Sequence, residues 1–207
     1  MTFTLFIVAV TCGVSLLFMD NGGVKSQLLF HPVTIRERKQ WYRFLSSGLI
    51  HADFLHLAIN MFVLWSFGTA LESFYYPAAL QPFALHKFMF LYVGGIAVAS
   101  IPAYLRYRNN PHYAALGASG GVSAVVFAVI VFDPWQNLYL YGVLPIPQIL
   151  GGAAYLYYSW YMDKRGTDNI GHMAHFTGAL WGFVFTIVMN PALFGHFFRM
   201  TFAGPNW

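Results

Sequence analysis

The chain has 207 residues, of which 58% are hydrophobic, 19% aromatic and only 9% charged, against roughly a quarter charged in an ordinary soluble domain. A soluble globule of this composition lacks the charge to cover its surface, disorder is excluded by the aromatics, and the single cysteine, Cys12, excludes a disulfide scaffold. The net charge of +4 is spread through short segments with no basic run able to track a phosphate backbone, so no nucleic-acid partner is expected and an integral protein of the lipid bilayer remains.

A bilayer span needs about 20 mostly apolar residues. Six stretches qualify: Phe3–Met19, Phe54–Tyr75, Lys87–Leu105, Leu116–Phe132, Pro145–Met162 and His172–Met189. They are expected to be helices, because uninterrupted apolar runs do not alternate as barrel strands must. The first has no basic start and no small-residue cleavage site, which predicts a retained helix and not a signal peptide. Between the first and second spans, Asp20–Ser47 holds His31-Pro32, Arg36, Glu37, Arg38, Lys39, Trp41 and Arg43. That is too aromatic and too basic for a bare linker, and predicts a structured, functional loop. The connections at 133–144 and 163–171 are short, and the expectation is a single transmembrane domain over residues 1–207.

Polar residues inside spans are expensive and therefore informative. Ser119 opens the fourth span within Gly117-Ala118-Ser119-Gly120-Gly121. The glycines allow a sharp turn and leave the hydroxyl unobstructed, although a lone intramembrane serine can also bond its own backbone. The match to the G-x-S-x-G nucleophile elbow is coincidental, because that elbow needs a strand–turn–helix. His175 opens the sixth span in Ala174-His175-x-x-Gly178-x-x-x-Gly182. Ala174, Gly178 and Gly182 form a small-residue stripe, and Gly120, Ala124 and Ala128 form another on span four. The two predict close face-to-face packing of spans four and six, with serine and imidazole at similar depth. Pure packing is the alternative reading of these stripes. His56 and Asn60, four apart on one face of span two, are either a hydrogen-bonded structural pair or donors for an oxyanion. Among the eight histidines, His172/His175 and His51/His56 lack both the H-E-x-x-H pattern and acidic partners within the spans, so neither a metal site nor any other cofactor is expected.

Taken in order, His56-x-x-x-Asn60, Gly117-Ala118-Ser119-Gly120 and Ala174-His175-x-x-Gly178-x-x-x-Gly182 resemble the HxxxN, GxSG and AHxxGxxxG motifs of rhomboid intramembrane serine proteases, on spans two, four and six. The resemblance covers nearly the whole chain. It implies an all-α, six-transmembrane-helix bundle with a long structured first loop, in the inner membrane of a cell. It implies Ser119 as nucleophile and His175 as general base in a dyad without an acid. His56, Asn60 and the Ser119 N–H would line the oxyanion hole, and single-span transmembrane proteins would be the substrates. Gly117, Gly120, Gly178 and Gly182 are then structural supports. Arg43 matches the arginine of a first-loop Trp-Arg pair, with Tyr42 where tryptophan is common. Glu72, with Gly68, resembles a GxxxE segment, and is expected to tie down the first loop. Ser123 stands where some members have a tyrosine that stacks on the base, so another group is expected to hold the His175 ring. The aromatic end of span five, Tyr155 to Tyr161, reads either as a mobile gate or as an interfacial belt.

Nine of the 11 basic residues lie in loops one, three and five. The positive-inside rule would place those loops, and the site, in the cytoplasm, whereas the resemblance implies an extracytoplasmic site. The second arrangement is preferred, because five of the nine charges sit in the one loop expected to fold around the site. Two other functions compete. An inactive rhomboid-like protein that binds membrane clients usually lacks the serine or the histidine, and this chain has both. A small transporter should show a repeat between chain halves, which is not visible.

Overall fold

The computed structural model describes residues 2–140, 143–165 and 171–205. Helix α1 (Phe3–Phe18) leads into a first loop built from three short helices, α2 (Gly22–Leu28), α3 (Pro32–Arg38) and α4 (Arg43–Ser46). Each has a local cause. Asn21 Oδ1 accepts the Val24 N–H at the start of α2, and Pro32 opens α3 with His31 Nδ1 accepting the Thr34 N–H. Arg43 is buried and ties the loop together, donating to Gln40 Oε1 at 2.7 Å and to the Ser26 and Leu29 carbonyls at 2.9 and 2.7 Å.

Asp53 caps α5 (Phe54–Ala70) by accepting the His56 N–H at 2.8 Å. This helix continues through a π-helical turn at Leu71–Tyr75 into α6 (Tyr76–Ala79). Then follow α7 (Ala84–Tyr107), α8 (Ser119–Phe132), an antiparallel hairpin of β1 (Asn137–Leu140) and β2 (Leu144–Pro147), and α9 (Gln148–Arg165), α10 (His172–Met189) and α11 (Ala192–Ala203). The stretches 54–79, 84–107 and 172–189 are long and apolar enough to cross a bilayer, while α1 and α8 are shorter apolar helices.

Helix α8 lies innermost. Every residue from Gly120 to Phe132 except Val126 is buried, as an all-round apolar helix requires. Its 14 residues rise about 21 Å, short of a hydrocarbon core of about 30 Å. A helix of this length does not cross the core by itself. Helix α10 packs along it on the predicted stripes. A methyl group at Gly178 would fall 2.9 Å from the Gly120 carbonyl carbon, and one at Gly182 would fall 2.6 Å from the Ala124 carbonyl carbon. The two backbones are therefore in direct contact.

Several boundaries differ from the expectation. Residues 116–118 are a turn and not helix, because Gly117 adopts φ +114°. The fifth helix starts at Gln148, since Pro145–Pro147 belong to β2. Helix α11 was not expected at all. It is tied to the end of α8 by His196 Nε2 against the Phe132 carbonyl at 2.8 Å, and by Trp135 Nε1–H donated to the Met200 and Thr201 carbonyls. Glu72 does not tie down the first loop. Its carboxylate accepts the Phe3 N–H at 2.7 Å, the Thr4 N–H at 2.8 Å and the Thr4 hydroxyl at 2.7 Å, and so caps the N-terminus of α1, where orphan donors and the helix dipole favour an anion.

Candidate active site

The turn into α8 is pinned residue by residue. Ala115 exchanges both backbone hydrogen bonds with Phe30 of the first loop at 3.0 Å, and the Gly117 N–H donates to the Ser47 carbonyl at 2.9 Å. The Ala118 N–H donates to His51 Nε2 at 3.3 Å. Gly117 is required twice, by its positive φ and by the His56 ring, whose Cε1 would lie 2.7 Å from a Cβ at this position. Ser119 follows as the first residue of α8. The first intrahelical bond of α8 runs from the Val122 N–H to the Ala118 carbonyl, so the Ser119 N–H lies ahead of the ladder, at the positive end of the helix dipole.

On the facing helix, His175 is one turn into α10. Its Nε2 lies 2.9 Å from Ser119 Oγ, within hydrogen-bond reach. Both residues are partly accessible, whereas Ala118 beside them is fully buried. Tyr155 of α9 stacks on the His175 ring, centroids 5.7 Å apart and planes inclined by 22°, and Ser123 Oγ is 2.8 Å from the Tyr155 hydroxyl. Tyr155 thus holds the His175 ring. Where a tyrosine on span four was missing, Ser123 leaves room for a ring from α9 and anchors its hydroxyl. His172 meets the His175 ring edge-on at 5.9 Å.

His56 and Asn60 share the inner face of α5. The His56 ring packs against Gly117, and Asn60 Nδ2 donates one hydrogen to the His56 carbonyl at 2.9 Å, which leaves its second amide hydrogen for another acceptor. The acidic residues nearest in sequence are engaged elsewhere. Asp53 caps α5, and Asp163 pairs with Arg106 at 3.1 Å, while Asp168 lies outside the described residues. Among the described residues no group of three or more His, Cys, Asp or Glu could hold a metal ion. At the outer end of α9, Lys164 and Arg165 sit over the Trp160 and Tyr161 rings at 4.1 and 4.8 Å, an arrangement of cations and aromatics suited to a membrane interface.

A rhomboid domain matches residues 38–192, most of the chain and all of the site. The chain belongs to the rhomboid family. This rhomboid is 26% identical over 183 residues to rhomboid-like protein 11, chloroplastic, of Arabidopsis thaliana, covering 84% of this chain and 59% of the relative. It is 29% identical over 143 residues to the human presenilin-associated rhomboid-like protein, mitochondrial, covering 67% of this chain and 35% of that one. It is 27% identical over 134 residues to the rhomboid protease GluP of Bacillus subtilis, covering 62% and 24%. The rhomboid thus spans between 24% and 59% of the length of these relatives, and it is an integral membrane protein by composition, helix length and family.

Proposed function

We propose that this rhomboid is an intramembrane serine endopeptidase that cleaves single-span membrane proteins through a Ser119–His175 dyad. The observation that carries the reading is the 2.9 Å approach of His175 Nε2 to Ser119 Oγ across two helices in backbone contact. Neutral His175 accepts the hydroxyl proton as Ser119 Oγ attacks the scissile carbonyl carbon, and the carbonyl π electrons move onto oxygen. The imidazolium then donates that proton to the leaving amine, and water, activated by the same ring, hydrolyses the acyl-enzyme. Oxyanion donors are the Ser119 N–H, the His56 ring and the second amide hydrogen of Asn60, assisted by the N-terminal end of α8. The Tyr155 face favours the imidazolium that forms in the transition state. No cofactor takes part.

Peptide hydrolysis needs water that lipid excludes, and the shortness of α8 supplies the geometry: the nucleophile sits beneath the headgroups yet at a helix end open to one aqueous side. We place that side outside the cytoplasm, in the inner membrane of a cell. Of the basic first-loop residues, Arg43 is buried, so part of the charge that argues the other way is spent inside the fold.

The test is cleavage of a labelled single-span substrate by purified protein in detergent. Ser119→Ala and His175→Ala abolish turnover, and Asn60→Ala lowers it by about 2.7–4 kcal/mol in transition-state stabilisation at most. A Ser119→Ala protein with full activity would mean that another group attacks. If the wild-type protein binds the substrate without cutting it, the chain is a client-binding member of the family instead.

A further inference from the structure

His51 takes no part in the chemistry above, yet it is a fully buried titratable side chain, 1% exposed, in contact with the turn that carries Ser119. Its two ring nitrogens have different neighbours. Nε2 faces the Ala118 N–H at 3.3 Å. Nδ1 faces Ser15 Oγ of α1 at 2.9 Å, and the same Oγ lies 2.8 Å from the Leu49 carbonyl.

These contacts admit one distribution of protons. A backbone N–H only donates, so Nε2 must be unprotonated to receive Ala118. A neutral imidazole then carries its proton on Nδ1, and Ser15 Oγ must accept it. The Ser15 hydroxyl hydrogen is thereby directed to the one acceptor left to it, the Leu49 carbonyl. The result is a one-way chain: Ala118 N–H to His51, His51 Nδ1–H to Ser15, Ser15 O–H to Leu49. Every link joins a different segment: the nucleophile turn, the strand-like entry to α5, α1, and the end of the first loop.

We propose that His51 is a positioning residue for Ser119, held by Ser15 as the Nδ1–H tautomer so that its Nε2 fixes the Ala118 amide and sets the direction in which α8 begins. The proposal rests on Ser119 being the nucleophile. The charged and titratable groups around the ring are few. The His56 ring lies edge-on at 4.9 Å from α5, Asp53 is at the α5 cap, and Lys25 of α2 donates to the Ala52 carbonyl at 3.4 Å. Burial, and then the His56 ring, keep His51 uncharged down to a pKa of about 4, with Asp53 acting in the opposite sense, which preserves the free Nε2 at neutral pH. Serine at position 15 acts at a distance in this scheme. Without its oxygen the Nδ1–H is buried with no acceptor at Ser15, which disfavours the tautomer that the Ala118 N–H requires. A proton on Nε2 would confront the Ala118 N–H donor to donor, and the bond would be lost.

Two measurements on the intact protein in detergent micelles test this. The first is long-range nitrogen–proton NMR of histidine-labelled protein at neutral pH, with His51 assigned by its disappearance in His51→Gln. A protonated Nδ1 with a bare Nε2 is expected, and a protonated Nε2 overturns the proposal whether or not the protein is a peptidase. The second is steady-state cleavage by Ser15→Ala, whose change lies on α1 and touches neither dyad residue. kcat falls about tenfold, KM is unchanged, the melting temperature stays near that of wild type, and the Ala118 amide exchanges faster with solvent. His51→Gln, which keeps an acceptor for Ala118 and cannot titrate, retains more activity than His51→Leu. Wild-type kcat and wild-type Ala118 exchange in Ser15→Ala would overturn the relay, as would a change confined to KM. If wild type itself shows no cleavage, the tautomer and the amide exchange still decide the positioning role, and only the peptidase reading fails.

Discussion

Gly182→Ala perturbs the site from a distance of seven residues, about 10.5 Å along α10 from His175. Its new methyl would lie 2.6 Å from both the carbonyl carbon and the Cα of Ala124, closer still to the carbonyl oxygen. Carbon–carbon contact is comfortable at about 3.5–4.0 Å. Helix α10 must therefore move outward by about 1 Å, because the obstacle is backbone in the middle of a helix and cannot swing away. A rigid helix carries His175 with it, and a 2.9 Å approach to Ser119 has little slack before the hydrogen bond is broken. Misplacement of a reacting group by 1 Å costs about 10²-fold in rate, and overpacking adds about 1–3 kcal/mol of destabilisation. The assay is kcat on a labelled single-span substrate beside thermal melting of the same sample, with Gly195→Ala as control. Gly195 lies in α11 with open space around it, so alanine there should leave kcat alone and stabilise by about 0.5–1 kcal/mol. A Gly182→Ala protein that melts and cleaves like wild type would refute the claim that direct α8–α10 backbone contact sets the dyad distance.

Three further outcomes follow from the same geometry. Tyr155→Phe keeps the stack on His175 and loses only the Ser123 bond, whereas Tyr155→Ala loses both; kcat should fall by no more than about threefold in the first and by about tenfold in the second, the value of an aromatic contact of about 0.5–1.5 kcal/mol, and equal losses would remove the stack from the account. Glu72→Gln removes the negative charge at the start of α1 and weakens the cap, so unfolding in denaturant should show a loss of about 1–3 kcal/mol, with no change in the pH dependence of kcat. For His51, whose pKa is pulled from 6.5 to about 4, the unfolded chain binds a proton below pH 6.5 that the folded chain refuses until about pH 4. Stability is therefore full above pH 6.5 and is lost as pH falls through that window, by up to about 3 kcal/mol. The melting temperature of wild type should drop relative to that of His51→Gln between those limits, and parallel curves would contradict the neutral burial of the ring.

What could be read from the chain alone was whatever local spacing encodes. The glycines around Ser119 and the four-residue repeat of Ala174, Gly178 and Gly182 predict which helices touch and on which faces, because small residues have one use in lipid. The remaining parts arise from pairings with no sequence period. Glu72 caps a helix that begins 69 residues earlier, and no pattern around either partner announces it. Tyr155 reads as one aromatic among several, and only its place on the inner face of α9, with buried Gly152 and Ser159, separates it from the exposed Tyr157 and Tyr158. Strand β2 is apolar enough for Pro145–Pro147 to pass for the start of a span, although Pro145 and Pro147 suit the strand margin they occupy better than a helix interior. His51 stands five residues before His56. That spacing says nothing by itself, since the meaning of the ring lies in α1 and in the turn at Ala118.

The most direct measurement of the dyad is the site and dependence of covalent labelling by a fluorophosphonate, read by peptide mass spectrometry on the purified protein. One adduct is expected, on Ser119, absent in Ser119→Ala and lost or strongly slowed in His175→Ala while both proteins still melt cooperatively. An adduct on another serine, or undiminished labelling of Ser119 in His175→Ala, would contradict the dyad.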